Sequence, residues 1–228
     1  MKIKGLQKLT LLDFPGEIAC TVFLGGCNFR CPFCHNASIV LPEREAENIS
    51  VESFLEFLDS RRGKLSGVCV SGGEPTLSAD LPNLLREIKS RGLRVKLDTN
   101  GYLPGVLESL IDEGLVDYVA MDIKNSMERY GETVGIDRFD VSPIDRSARL
   151  LMTGRVDFEF RTTVTGELHD SDSIRAIGEW LRGDESFYLQ TFLDSGDLLS
   201  CGLSPYSKEE MESLTAILRE YIPRAELR

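Results

Sequence analysis

No apolar run in the chain approaches the ~20 residues that a membrane-spanning helix needs. The opening stretch, MKIKGLQKLTLLDFPGE, lacks the continuous apolar core of a secretory leader. Positive charge is in deficit: 26 Lys and Arg stand against 37 Asp and Glu, for a formal charge of −11. Duplex binding needs clustered cations to displace counterions, so this balance excludes nucleic acid as a partner. Neither a composition break, nor a low-complexity tract, nor a close internal repeat divides the 228 residues, which predicts one domain over 1–228. These absences predict a cytoplasmic protein with no membrane partner. In that compartment six cysteines are not expected to form disulfides.

Three of those cysteines crowd into GGCNFRCPFCHN as Cys27, Cys31 and Cys34, a C-x₃-C-x₂-C pattern. Three thiolates at this spacing can wrap a corner of an iron–sulfur cube and leave one iron without a protein ligand. An open iron can bind a substrate and pass it an electron. Three other readings share the residues. Cys31-Pro-Phe-Cys34 matches a redox C-x-x-C, and with His35 it matches the attachment signature of c-type haem. The three cysteines with His35 can also be read as a structural zinc site. Haem attachment needs export and leaves Cys27 idle. Zinc usually draws on two separated pairs, and a dithiol does not need a third thiol. His35 is read as a loop residue beside the ligands.

Apolar runs alternate with helical patterns along the rest of the chain. Strands are predicted at ACTVFL, GVCV, RVKLD, VDYVAMDIK, VDFEFRTTV and SFYLQTF. Helices are predicted at Ser50–Gly63, with Ser50 as cap, at Leu81–Gly92, LPGVLESLIDEG, Ser142–Met152, SDSIRAIGEWLR and SKEEMESLTAILREYI, with a less regular stretch from Asn125 to Phe139. Six β-then-α units with short connections predict an α/β fold around a mainly parallel sheet. A partial barrel and a doubly wound open sheet both satisfy the pattern. Either places ligands at the carboxyl ends of the strands.

The motifs fall at those ends. Ser71-Gly72-Gly73-Glu74-Pro75 follows a buried strand, and its paired glycines permit close approach of backbone to a ligand or a plain tight turn. Asp98-Thr99-Asn100-Gly101 reads as an Asx turn or as half of a ligand site. Asp122 and Lys124 read as an exposed ion pair or as part of the same site. Arg161, on a strand, needs a carboxylate partner. Cys20 and Cys69 are expected in the core, Cys201 as an exposed free thiol, and His169 in a capping or surface role.

Taken in order, the three-cysteine loop with Phe33 before its last cysteine, the GGEP run and the DTNG turn resemble the radical S-adenosylmethionine enzymes. LTLLDFPGEIACTVFLGGCNFRCPFCHN, VSGGEPTL, VKLDTNG, VDYVAMDIK and EFRTTV resemble more closely the glycyl-radical-enzyme activases. Among these the chain looks most like the anaerobic ribonucleoside-triphosphate reductase-activating proteins, and it is also similar to the pyruvate formate-lyase-activating enzymes. The resemblance runs from Gly5 to about Tyr221.

The resemblance implies a partial (β/α)₆ TIM-like barrel of radical SAM type. It implies one 4Fe-4S cluster on Cys27, Cys31 and Cys34, with no further cluster because Asn36 to Ser50 carries no cysteine. S-adenosylmethionine would meet backbone groups of Gly72, Gly73 and Glu74. Asp98, Thr99 and Asp122 match positions that hold a monovalent cation, and Arg161 matches a basic residue near the cofactor. Gln190 stands where the pyruvate formate-lyase-activating enzymes carry a cofactor-binding histidine. The implied activity is reductive cleavage of S-adenosylmethionine, and the 5′-deoxyadenosyl radical then takes hydrogen from a glycine of a partner enzyme. The expected partners are that glycyl-radical enzyme, an anaerobic ribonucleotide reductase, and a low-potential electron donor such as flavodoxin or ferredoxin. Two other classes stand beside this one: a radical enzyme acting on a small molecule, of carboxydeazaguanine synthase type, and a non-catalytic metal-binding or electron-transfer protein.

Overall fold

The alternating segments wind into one eight-stranded sheet whose strands lie side by side in chain order. They are β1 (Ile3–Thr10), β2 (Ala19–Leu24), β3 (Gly67–Gly72), β4 (Arg94–Thr99), β5 (Tyr118–Asp122), β6 (Asp157–Val164), β7 (Phe187–Thr191) and β8 (Glu226–Leu227). The computed structural model describes residues 1–41, 48–184, 186–194 and 196–228. β1 runs antiparallel to β2, and every later neighbour is parallel. A doubly wound sheet reverses its strand order at a switch point. No reversal occurs here, so that alternative falls. The six units from β2 to β7 form a partial (β/α)₆ barrel, open between β1 and β8.

Eight α-helices accompany the sheet among the described residues: α1 (Ala37–Val40), α2 (Val51–Ser60), α3 (Leu81–Ser90), α4 (Pro104–Asp112), α5 (Tyr130–Val134), α6 (Ser142–Leu151), α7 (Ser171–Trp180) and α8 (Lys208–Arg219). Local chemistry sets their starts. The Ser50 hydroxyl accepts from the Ser53 N–H, as expected of a cap. Asp170 and Ser207 open α7 and α8 with capping boxes. None of these helices is long and apolar enough to cross a membrane.

The outer face of the sheet belongs to one apolar cluster. Val68, Val70, Val95, Leu97, Val119 and Met121 join Leu84, Leu85 and Ile88 of α3 and Leu107 and Leu110 of α4. Alternate residues on the same strands face the barrel interior. Cys20 and Cys69 are fully buried and Cys201 is exposed, as predicted. Two strands were not foreseen. β1 mixes polar and apolar residues without alternation, since only its ends are buried, and β8 has two residues. The stretch read as irregular contains α5, which ends on Gly135 in the left-handed conformation.

Candidate active site

Cys27, Cys31 and Cys34 line one wall of a cavity of about 240 Å³ at the carboxyl ends of the strands. The loop that carries them is held at both ends. The N–H of Gly25 donates to the Lys2 carbonyl at 2.9 Å, and that of Gly26 to Ile39 at 3.1 Å. At the apex Phe29 is buried edge-on against Tyr102 and Phe139, at ring separations of 5.7 and 5.5 Å. The Arg30 N–H bonds the Val134 carbonyl at 2.9 Å, so the stretch after β5 supplies the anchor. All three thiols are free of disulfides. Burial pushes Cys27 up to about 11 and Cys31 to about 12, and it raises Cys34 as well. They are protonated until a metal displaces the proton.

The SGGEP turn packs against this loop. The N–H of Gly73 donates to the Leu24 carbonyl at 2.9 Å, and that of Glu74 to Gly26 at 2.8 Å. Gly72 has φ +128°, and a Cβ there would run into the Leu24 backbone. A Cβ on Gly73 would run into the Gly26 carbonyl and crowd Cys27. The glycines are therefore required for the turn to meet the cysteine loop, before any ligand is considered.

Of the twelve site residues predicted, eleven line the cavity; Glu74 does not. Its carboxylate turns into the protein and accepts from the Thr76 N–H, the Thr76 hydroxyl, the Thr99 hydroxyl at 2.8 Å and the Asn100 N–H at 2.6 Å. Burial raises its pKa against those four donors. Glu74 ties the SGGEP turn to the DTNG turn.

Opposite the cysteines stands a cluster of charges. Arg161 donates to Asp122 through Nε at 3.0 Å and lies 3.7 Å from Asp98. Lys124 donates to Asp122 at 2.9 Å, and Lys96, 1 % exposed, pairs with Asp98. Burial alone would raise the Asp122 carboxyl, but the Arg161 and Lys124 charges outweigh it and hold it well below the usual range. Burial would likewise lower Lys124, and Asp122 overrides it. Asp98, Asp122, Lys124 and Arg161 line the cavity, two of each sign, while Lys96 is buried outside the lining. The Asp122–Lys124 pair is thus no exposed ion pair.

Lys124 is the cavity residue that the sequence reading undervalued. Its ammonium lies 5.8 Å from the centre of the Phe33 ring. Its carbonyl accepts from Nε2–H of His169 at 2.9 Å, and Nδ1 of His169 accepts from the Thr165 N–H at 3.2 Å. The expected surface or capping role of His169 is overturned: the residue is 1 % exposed, and Asp170 makes the cap. Asn36, also unforeseen, lines the cavity and donates to the Gly72 carbonyl at 2.9 Å.

The donor set fits an iron–sulfur cluster with one open iron. Three cavity thiols sit on one loop. Among the described lining residues the one imidazole, His35, lies with its ring 5.6 Å from the Phe192 ring, and the carboxylates are engaged by cations. Among the described residues no three His, Cys, Asp or Glu side chains close on a single metal ion, as a structural zinc would need.

Comparison with known proteins agrees. The radical SAM superfamily pattern matches residues 21–157. A provisionally named glycyl-radical enzyme activating enzyme of Methanocaldococcus jannaschii is 31 % identical over 99 % of this chain and 95 % of its own. The pyruvate formate-lyase 1-activating enzyme of Escherichia coli K12 is 28 % identical over 96 % of each. In three dimensions the chain superposes on Streptococcus suis SuiB with a TM-score of 0.71 at 16 % identity, over 91 % of this chain and 48 % of that larger one, which shows the shared fold. The chain belongs to the radical SAM superfamily. It is a radical SAM enzyme, and the family implies a 4Fe-4S cluster and S-adenosylmethionine.

Proposed function

We propose that this protein activates a glycyl-radical enzyme, and that the partner is an anaerobic ribonucleoside-triphosphate reductase. The observation that carries the reading is the likeness, over nearly the full length of both chains, to proteins named as glycyl-radical enzyme activases. The sheet left open between β1 and β8 supports it, because a lateral gap can admit a loop of another protein.

Cys27, Cys31 and Cys34 would hold the cluster. Once bound and reduced by an external donor of flavodoxin or ferredoxin type, the cluster supplies the electron that cleaves S-adenosylmethionine and frees a radical able to take hydrogen from a glycine Cα. The chain's own residues bind, orient and shield. Lys124 and Arg161, on the cavity wall and paired with Asp122, are the cations placed to receive the ligand's carboxylate, with Lys124 beside Phe33. The N–H groups of Gly73 and Glu74 are already engaged, so carbonyls of that turn are what remain to receive the ligand amine. Gln190 and Thr99, on the cavity wall, complete the contacts. Asp98 and Asp122 already pair with Lys96, Lys124 and Arg161, so the reading does not draw on a monovalent cation at Asp98, Thr99 and Asp122.

The test is a mixture of holoenzyme, S-adenosylmethionine, a strong reductant and the candidate reductase. A glycyl radical signal in electron paramagnetic resonance, lost when the reductase glycine is replaced by alanine, is the expected result. Consumption of the radical by a small metabolite with no signal on any glycyl-radical enzyme would transfer the reading to the small-molecule class.

A further inference from the structure

The side chain of Asn28, directly after Cys27, carries one hydrogen-bonding group with nothing to meet. Its orientation follows from its neighbours. The Tyr102 N–H donates to Asn100 at 3.0 Å. Only the carboxamide oxygen can accept there, so Oδ1 of Asn100 faces Tyr102. Nδ2 of Asn100 then points the other way and donates to Asn28 at 2.8 Å. The atom of Asn28 that receives it must be Oδ1. What remains is Nδ2 of Asn28, which is buried and has no hydrogen-bond partner among the described residues. Turning the Asn28 amide over would set two N–H groups against each other. Turning both amides would oppose Asn100 to Tyr102. The relay is also anchored below, because the Asn100 N–H donates to the buried Glu74 carboxylate at 2.6 Å.

A buried donor left unmade costs about 1–3 kcal/mol, and native structures rarely leave one without a reason. This one sits one carboxamide width from an oxygen that lies 3.9 Å from the Cys27 sulfur. Sulfur is what a bound cluster brings to this loop. We propose that the Nδ2–H of Asn28 donates to a sulfur of the cluster, either the Cys27 thiolate or the sulfide beside it, and that this hydrogen bond sets the cluster's reduction potential. A donor to sulfur stabilises the reduced, more negative state and so raises the potential. Asn28 acts as a positioning and tuning residue and does not contact the reacting atoms. The inference rests on the family's cluster and is independent of the activated partner. Its test therefore uses no partner.

Reconstituted holoenzyme is titrated anaerobically, with the signal of the reduced cluster followed by electron paramagnetic resonance. Asn28→Leu removes the donor without adding charge, and it should titrate at a lower potential than the parent. Asn28→Asp keeps an oxygen toward Asn100 but adds a carboxylate charge, so it serves only as the nitrogen-free control. A purely structural role would reduce iron content and leave the potential of the loaded fraction where it was. An unshifted potential in fully loaded Asn28→Leu overturns the proposal. Should that variant fail to take up iron, side-chain ¹⁵N-asparagine labelling decides. Pulsed resonance on the reduced parent should show a weak nitrogen coupling that vanishes in Asn28→Asp. Absence of the coupling in the parent, or its persistence in Asn28→Asp, overturns it equally.

Discussion

The backbone N–H of Glu74 donates to the carbonyl of Gly26 at 2.8 Å, which makes the SGGEP turn and the cysteine loop one mechanical unit. A Cβ on Gly73 would run into that same carbonyl. Gly73→Ala should therefore displace the cysteine loop, and iron content after anaerobic reconstitution should fall well below that of the parent. Gly105→Ala, where a Cβ meets nothing within 4 Å, is the control. Equal iron in the two variants would show that turn and loop are not coupled.

Replacement of Cys27, Cys31 or Cys34 by alanine should remove the cluster and with it the conversion of S-adenosylmethionine to 5′-deoxyadenosine. Cys20→Ala, Cys69→Ala and Cys201→Ala should retain both, because the first two lie in strands outside the cysteine loop and the third is exposed. Iron analysis and chromatography of the nucleoside products read the two outcomes. Loss of the cluster in Cys69→Ala with retention in Cys27→Ala would reverse the assignment.

Arg161 holds Asp122 through two nitrogens and faces Asp98. Removing it leaves each half-buried carboxylate with a single lysine. Arg161→Met should cost about 1.5–3 kcal/mol, the range for losing a hydrogen bond to a charged group, since each aspartate keeps one partner. Denaturant titration of the apo protein measures this. A midpoint within error of the parent would mean that the charge cluster contributes binding geometry and no stability.

Burial lowers the pKa of His169 below its ordinary 6.5, against the hydrogen bonds from Thr165 and to Lys124. The unfolded chain therefore binds a proton that the folded chain resists, and the number bound is larger in the unfolded state. Stability that is fully present above pH ~6.5 should be lost progressively as pH falls from that value through the lower folded-state pKa. His169→Gln should flatten this part of the profile. His35, the other histidine, shifts in the same direction and keeps its share of the slope. Chemical denaturation at a series of pH values compares the two proteins, and an unchanged slope would show that His169 does not titrate on unfolding.

Much of the barrel was legible because its strands are uniform. ACTVFL, GVCV and VDYVAMD are short apolar runs buried on both faces, and glycines close the helices between them. β1 and β8 were not legible. An edge strand is half solvated and shows little pattern, and β8 earns its assignment only by pairing with β7. The glycines of SGGEP were noticed, but their cause was not. The sequence leaves open a ligand's approach or a plain tight turn, whereas the nearest neighbours of these glycines are the backbone of Leu24 and Gly26, more than forty residues earlier in the chain. The resemblance places only the backbone of Glu74 among the ligand contacts, and nothing local reveals that its carboxylate turns toward Thr99 and Asn100.

Residue type and spacing alone determined the three thiols, the six repeating units and the strand ends on which chemistry falls, because each depends on neighbours within a few positions. The direction of winding, the burial of His169 beneath Lys124, the pairing of Asp98 and Asp122 with Lys96, Lys124 and Arg161 and the amide nitrogen of Asn28 left without a partner among the described residues were decided only in the tertiary structure. Each of these is a relation between side chains brought together from different strand ends, and hydrogen bonding and charge in a buried site depend on distances that no local pattern encodes.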